Sequence, residues 1–276
     1  MRVAIYQGPA EAGSVGRNLD LLEGLAAQAA GAGARLMICP EMFLSGYNIG
    51  AEEVSRLAEP ADGPALARVA GLARQYRIAL LVGYPERGGD GAIYNAVLLI
   101  GCDGRSLAGY RKCHLFGDLD RQMFRAGASP PAVVELDGIR IGLLICYDVE
   151  FPESVRLLAL AGADLVAVPT ALMEPFEAVA RILVPARALE SQVFLAYANR
   201  CGREGDLRYC GLSCVVGPDG ADLARAGRGE QLILADLDLA RLSASRLANT
   251  YLADRRPELY RPIVEAAPMP SRGPRA

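Results

Sequence analysis

The chain has 276 residues, 52% of them hydrophobic and 22% charged, with a formal net charge of −3. A chain of this kind buries a large core without disulfides or metals, and it shows no basic stripe interleaved with aromatics, which argues against a nucleic-acid partner. No stretch approaches the ~20 apolar residues of a membrane span, and MRVAIYQGPAEAG lacks the longer apolar core of a secretory signal, so a cytoplasmic protein acting on a small soluble molecule is expected.

In chain order, residues 2 to 7 read as a buried strand, and Leu21, Leu22, Leu25 and Ala29 give 16 to 30 a helical period. A short strand from Leu36 to Cys39 stops at Pro40, and a second helix covers 64 to 76. Strands at 78 to 84 and 93 to 100 flank the turn ERGGDG, and another strand reaches Lys112. A polar loop follows, then strands at 132 to 136 and 139 to 146, a helix at 152 to 161, a strand at 164 to 168 and a helix at 177 to 191. Strands at 193 to 198, 209 to 216 and 231 to 236 complete a chain read as one domain over 1–245. The segment 246–276, rich in Arg, Pro and Ala, reads as a tail packing on the domain or on a partner.

The chain also echoes itself. GARLMICP (33 to 40) resembles GADLVAVP (162 to 169), each following a helix and each ending in proline. Downstream, both copies continue as strand, glycine-rich turn, strand and Gly-x-Asp-Gly turn, so two related α/β halves are expected. Glu41 and Thr170, just past the two echoed strands, would then face one cleft, where open α/β sheets place their ligands.

Seven cysteines are scattered without a CxxC pair, and there is one histidine, so reduced thiols and no metal centre or other cofactor are expected. Cys146 differs in setting from the other thiols. The strand IRIGLLIC ends on it and FPE opens a helix beyond it, the strand-to-helix arrangement of a nucleophile elbow. A thiol nucleophile needs a base. His114 is one possibility, although its place at a strand exit reads as structural. Glu41 is another, in CPEMFLSGYN, and Lys112, in YRKCHLFGD, could supply positive charge.

Those three segments, CPEMFLSGYN, YRKCHLFGD and LLICYDVEFPES, resemble the signatures of the nitrilase, or carbon–nitrogen hydrolase, superfamily, in the same order and 71 and then 34 residues apart. The resemblance implies a four-layer α-β-β-α sandwich, a catalytic Glu41, Lys112 and Cys146, and a homodimer or larger homo-oligomer. In the implied chemistry the Cys146 sulfur attacks an amide carbonyl, and Lys112 and the Tyr147 backbone N–H receive the oxyanion. Many members carry a second glutamate after the lysine. HLFGDLDRQMF offers only Asp118 and Asp120, with Asp120 favoured by counting back from Phe124.

Asp148 and Glu153 read as structural, pairing with arginine or capping the helix at Pro152. Glu150 stands at a position that varies among branches and could hold a substrate ammonium. Glu174 is a weaker candidate for that task, and Tyr47 and Thr170 are candidate pocket residues. PEMFLSGYNIG, GYPERGGDGAIYNAV and FGDLDRQMF are most similar to the branch of 5-aminopentanamidases and R-stereoselective amidases. That implies hydrolysis of 5-aminopentanamide to 5-aminopentanoate and ammonia, a step of lysine degradation. Other readings are another ω-amidase, an N-carbamoyl amine hydrolase, a nitrilase, or an inactive binding protein on the same fold.

Overall fold

The structure, a computed structural model, describes residues 1–266. The first half of the chain supplies β1 (Arg2–Gln7), α1 (Val15–Gly31), β2 (Leu36–Ile38), α2 (Gly50–Leu57), α3 (Pro64–Tyr76), β3 (Ala79–Arg87), β4 (Ile93–Ile100), β5 (Ser106–Arg111) and α4 (Gly117–Met123). The second supplies β6 (Val133–Leu136), β7 (Ile139–Leu143), α5 (Pro152–Leu160), β8 (Leu165–Pro169), α6 (Val184–Ser191), β9 (Phe194–Ala198), β10 (Cys201–Glu204) and β11 (Leu207–Cys210). It closes with β12 (Cys214–Val216), β13 (Asp222–Arg225), β14 (Gln231–Asp236), α7 (Leu239–Ala248) and α8 (Pro257–Glu265).

Two six-stranded sheets result, ordered β14-β1-β2-β3-β4-β5 and β6-β7-β8-β9-β12-β13. Their directions match position for position: an antiparallel outer pair, two parallel steps, then two antiparallel steps. The echo in the sequence is therefore an echo of topology, with β2 and β8 as equivalent strands.

The inner strands of the first sheet, β1 to β4, are largely apolar on both faces because both faces are covered. Val3, Ile5, Leu36, Ile38, Ala79 and Leu81 join a core that also holds Ile141, Leu143, Leu165 and Leu195 of the second sheet. Their neighbours Ala4, Tyr6, Met37, Leu80 and Val82 pack instead against Leu19, Leu22 and Ala26 of α1 and Leu66 and Val69 of α3. The period-2 alternation of each strand thus divides its side chains between a sheet-on-sheet core and a sheet-on-helix core, and with α5 and α6 on the second sheet the result is the expected α-β-β-α sandwich.

Local readings differ in several places. The polar loop after Lys112 contains α4, whose few apolar positions leave only Asp120 and Met123 buried. α2, β13 and α7 also went unread; α2 and α7 each bury one residue, Val54 and Leu242, so their periodicity is faint. The strand expected over 209 to 216 breaks at Gly211 and Leu212, both at positive φ. The helix expected from 177 opens as a wide turn over Val179–Leu183, and α6 begins beside Pro185, which cannot donate to the helical ladder. The expected boundary at 245 falls inside α7, and residues 267–276 of the expected tail lie outside the described residues.

Candidate active site

Three strand exits converge between the sheets. Glu41 follows β2, Lys112 follows β5, and Cys146 lies three residues past β7. The Glu41 backbone N–H reaches the Thr170 carbonyl at 3.3 Å, so the ends of the equivalent strands β2 and β8 do meet. The Glu41 loop comes this close to β3 because residue 83 is glycine: a Cβ there would sit 2.5 Å from the Met42 nitrogen and 3.0 Å from the Pro40 oxygen. Met42 itself adopts a left-handed φ of 52°. Arg200, fully buried just past β9, donates from Nε to the Glu41 carbonyl at 3.0 Å and from Nη2 to the Met42 carbonyl at 2.8 Å.

Lys112 Nζ donates to Glu41 Oε1 at 2.8 Å and to Asp120 Oδ2 at 2.6 Å, and none of the three side chains is exposed. Asp120 in turn accepts from the Tyr47 hydroxyl at 2.8 Å and from the Phe116 N–H at 2.8 Å. Asp118, the other aspartate of the loop, has a side chain 90% exposed and stands 3.8 Å from Arg121. The shorter aspartate reaches Lys112 because α4 carries it inward. Asn95 Nδ2 donates to the same Glu41 Oε1 at 2.7 Å, while Glu41 Oε2 is buried with no hydrogen-bond partner among the described residues.

Burial lifts the Glu41 carboxyl above its ordinary range, against the pull of Lys112. Burial also works against the Lys112 ammonium, but the surrounding Glu41, Tyr47, Cys146 and Asp120 outweigh it and hold the lysine well above its ordinary value.

Cys146 is 8% exposed and sits at φ 47°, a conformation that costs a non-glycine residue energy and recurs at functional turns. The turn over Cys146–Glu150 is 3₁₀, and its first bond runs from the Asp148 N–H to the Ile145 carbonyl. The Tyr147 N–H stands ahead of that bond, one of the free donors of a helical start. Burial first, and then the Glu41 carboxylate, push the Cys146 thiol far above its ordinary value; Lys112, the Thr170 hydroxyl and the Ala171 N–H pull the other way without reversing it. Thr170 is fixed by its own bond to the Tyr197 hydroxyl at 3.1 Å.

Asp148 braces the turn from beneath. It accepts from the Ile145 N–H, the His114 N–H and the Tyr110 hydroxyl, and lies 2.7 Å from His114 Nδ1. Of the two expected structural roles, pairing with arginine or capping, it takes a capping one, at the Cys146–Glu150 turn through the Ile145 N–H, and its side-chain partners are a histidine and a tyrosine. His114 also stacks on Phe151 at 4.0 Å, and Phe151, Tyr147, Phe116 and Phe176 continue as edge-to-face contacts, a wall of rings beside the thiol. Glu153 is exposed in the first turn of α5 and forms no ion pair among the described residues.

Glu150 is half-buried. Burial raises its carboxyl, while Lys112 and Arg187 lower it. Arg187 binds the Glu150 carbonyl at 2.7 Å, and no ion pair engages the Glu150 side chain among the described residues. Glu174 is placed otherwise: Arg228 lies 2.7 Å away and Arg208 3.6 Å, so its charge is already answered and it is not a free acceptor for an ammonium. Asn95 and Arg200 were missed from the sequence, though each is a polar residue set inside or directly after an otherwise apolar strand, IYNAVLLI and FLAYANR.

Two matching sheets between helices, with a glutamate, a lysine and a cysteine gathered where their strands end, define a thiol hydrolase on a four-layer sandwich. The chain belongs to the carbon-nitrogen hydrolase family, whose model matches residues 2–247, and it is an enzyme of that class. It is 54% identical over 260 residues to a protein of Pseudomonas protegens called hydrolase in pqqF 5′ region, covering 94% of this chain and 90% of that one. It is 37% identical over 257 residues to an (R)-stereoselective amidase of a Pseudomonas species, covering 93% and 92%. Among solved structures, the amidase of Nesterenkonia sp. AN1 is similar at a TM-score of 0.83 and 40% identity, covering 95% of this chain and 98% of that one. That structure is of a glutamate-to-glutamine variant and shows the result of Michael addition of acrylamide at the active-site cysteine. Another structure of that amidase, at a TM-score of 0.82, is of a cysteine-to-alanine variant in complex with butyramide.

Proposed function

We propose that the chain is an amidase that converts a small aliphatic ω-amino amide, best represented by 5-aminopentanamide, to the carboxylate and ammonia, with Glu41, Lys112 and Cys146 as its catalytic residues. The observation that carries the catalytic part is the division of labour on Glu41. Lys112 and Asn95 occupy Oε1, and Oε2 is left as the one acceptor for a moving proton.

As the Cys146 sulfur bonds to the amide carbon, its proton passes to Glu41. The carbonyl oxygen becomes an oxyanion that the Tyr147 N–H and the Lys112 ammonium receive; one such donor is typically worth ~2.7–4 kcal/mol in the transition state. Glu41 then gives the proton to the departing nitrogen, which leaves as ammonia, and a thioester remains. A water molecule loses a proton to Glu41 as its oxygen attacks the thioester, and the sulfur departs and regains that proton. A base used in both directions is served by a raised carboxyl. Asp120 keeps Lys112 in place without joining the proton path, and Tyr47 holds Asp120.

The amino end of the substrate is assigned to Glu150, a half-buried carboxylate without an ion-pair partner among the described residues, in the field of Lys112 and Arg187. The (R)-stereoselective amidase and the butyramide complex among the relatives support amide substrates. The helical outer face, with Leu157 and Leu160 of α5 and Leu189 of α6 exposed, supports a homo-oligomer, to be checked by light scattering on the eluted protein. The deciding experiment is ammonia release from a panel of 5-aminopentanamide, pentanamide, pentanenitrile and an N-carbamoyl amine. The ω-amino amide should give the highest kcat/KM. A nitrile or carbamoyl amine hydrolysed faster would replace the amidase reading, and no turnover of any member would leave a binding protein.

A further inference from the structure

We propose that Asn95 is a positioning residue for Glu41, one that decides which carboxylate oxygen receives the proton. The inference rests on the catalytic reading above. Asn95 is fully buried in the middle of β4, between Tyr94 and Ala96 in a strand otherwise built from apolar and aromatic residues. Its backbone carbonyl accepts from the Lys112 N–H at 2.8 Å, and its side-chain amide donates to Glu41 Oε1 at 2.7 Å. One residue therefore sets the register between the base and the lysine. Lys112 donates to that same Oε1 at 2.8 Å. Rotating the carboxylate breaks two charge-assisted bonds at once, and the oxygen left over is Oε2.

The amide's own oxygen, Oδ1, is buried without a partner among the described residues. A leucine of similar volume would fill the position without that unpaired acceptor, so packing does not call for an amide here. Nor can the amide be turned over, since its oxygen would then face the carboxylate oxygen. Its orientation is set by Glu41, and the benefit of its presence falls on Glu41.

The titratable and charged groups around Glu41 are Lys112 past β5, Asp120 on α4, Cys146 in the turn past β7, Tyr47 in the loop after Glu41, Tyr209 on β11, and the buried Arg200 past β9 that holds the Glu41 carbonyl. Asn95 adds to these a neutral donor aimed at the ionised form. Removing it makes the carboxylate bind its proton more tightly and frees the carboxylate to turn.

The test compares wild type with Asn95→Leu and with Asn95→Asp, which is isosteric but lacks the donor. Two profiles are measured: kcat/KM for ammonia release against pH, and the rate at which iodoacetamide modifies the Cys146 peptide, followed by mass spectrometry. The acid limb of both profiles is expected to move to higher pH by about one unit in Asn95→Leu and further in Asn95→Asp, with kcat lowered about 10–100-fold. A limb that stays in place in both variants, whatever happens to the rate, overturns the inference. If Asn95→Leu does not fold, Asn95→Ala, which removes the donor without adding a charge, decides in its place. The alkylation profile needs no turnover, so a wild type that releases no ammonia sinks the amidase reading while the Asn95 inference is still decided by the movement of the alkylation limb.

Discussion

Glu41 and Lys112 form a 2.8 Å ion pair in which neither side chain is exposed, and the lysine shares its charge with a second buried carboxylate, Asp120. One cation thus faces two acids, an uneven sum for a buried site. Replacing Glu41 by glutamine leaves Lys112 and Asp120 as a matched pair and removes the proposed base. Activity should fall by at least about 10³-fold, as for loss of a central catalytic group. Stability should hold or rise, since the penalty for breaking a buried pair comes from a charge left uncompensated, and Lys112 keeps Asp120 as its partner. Each kcal/mol gained raises Tm by roughly 2–4 °C in a chain of this size. Calorimetry showing Glu41→Gln to be clearly less stable than wild type would mean that the excess charge is not the strained element.

The pH dependence has a defined sign. In the proposed mechanism Glu41 must be ionised to take the thiol proton, and burial raises its folded value, so kcat/KM should fall as pH drops through a point above the ordinary carboxylate value of about 4.3. Lys112 is held well above its ordinary value, so its charge produces no alkaline limb below about pH 10. The same rise means that the folded state binds the Glu41 proton more tightly than the unfolded chain. Stability therefore declines as pH climbs from the ordinary value through the folded one, a trend absent from Glu41→Gln. Rates that instead keep climbing across pH 8–9, where a free thiol titrates, would show that Cys146 reacts as a thiolate made without Glu41.

Gly83 provides a steric test of the Glu41 loop. Gly83→Ala places a methyl 2.5 Å from the Met42 nitrogen, a backbone atom that cannot swing aside. The loop must shift, and because small displacements of a base are costly, kcat should fall about 10–100-fold with the fold retained. Gly109→Ala in β5 meets nothing nearer than 3.5 Å and serves as the control. Equal activity in the two variants would show that the loop absorbs the methyl freely.

How much of this was legible depends on how each residue declares itself. Glu41, Lys112 and Cys146 each follow a strand end, a boundary visible in one dimension, sharply for the apolar strands before Glu41 and Cys146 and less so for SLAGYR before Lys112. The choice between Asp118 and Asp120 was not visible, because it turns on which face of a seven-residue polar helix points inward, and α4 has too few apolar positions to show a period. Asn95 interrupts a strand buried on both faces, a signal available in the sequence but not taken. The engagement of Glu174 by Arg228, 54 positions away, needed the fold itself.

Glu150 is where the choice of substrate is most open to measurement. Its carboxyl is half-buried and raised, and Arg187 spends its bonds on the neighbouring carbonyls of Val149 and Glu150. A half-buried carboxylate that forms no ion pair among the described residues, although Lys112 and Arg187 act on it from a distance, has room for a cation brought by the substrate. Glu150→Gln keeps the size and removes the charge. For 5-aminopentanamide, kcat/KM should fall about 10–100-fold, the ~1.5–3 kcal/mol of a charged hydrogen bond. For pentanamide, which lacks the amine and makes no use of the charge, it should change little. The preference between the two amides is the quantity to follow, since it cancels any general damage to the turn that carries Cys146. If both amides lose activity by the same factor, Glu150 supports the turn and the amino group is held elsewhere.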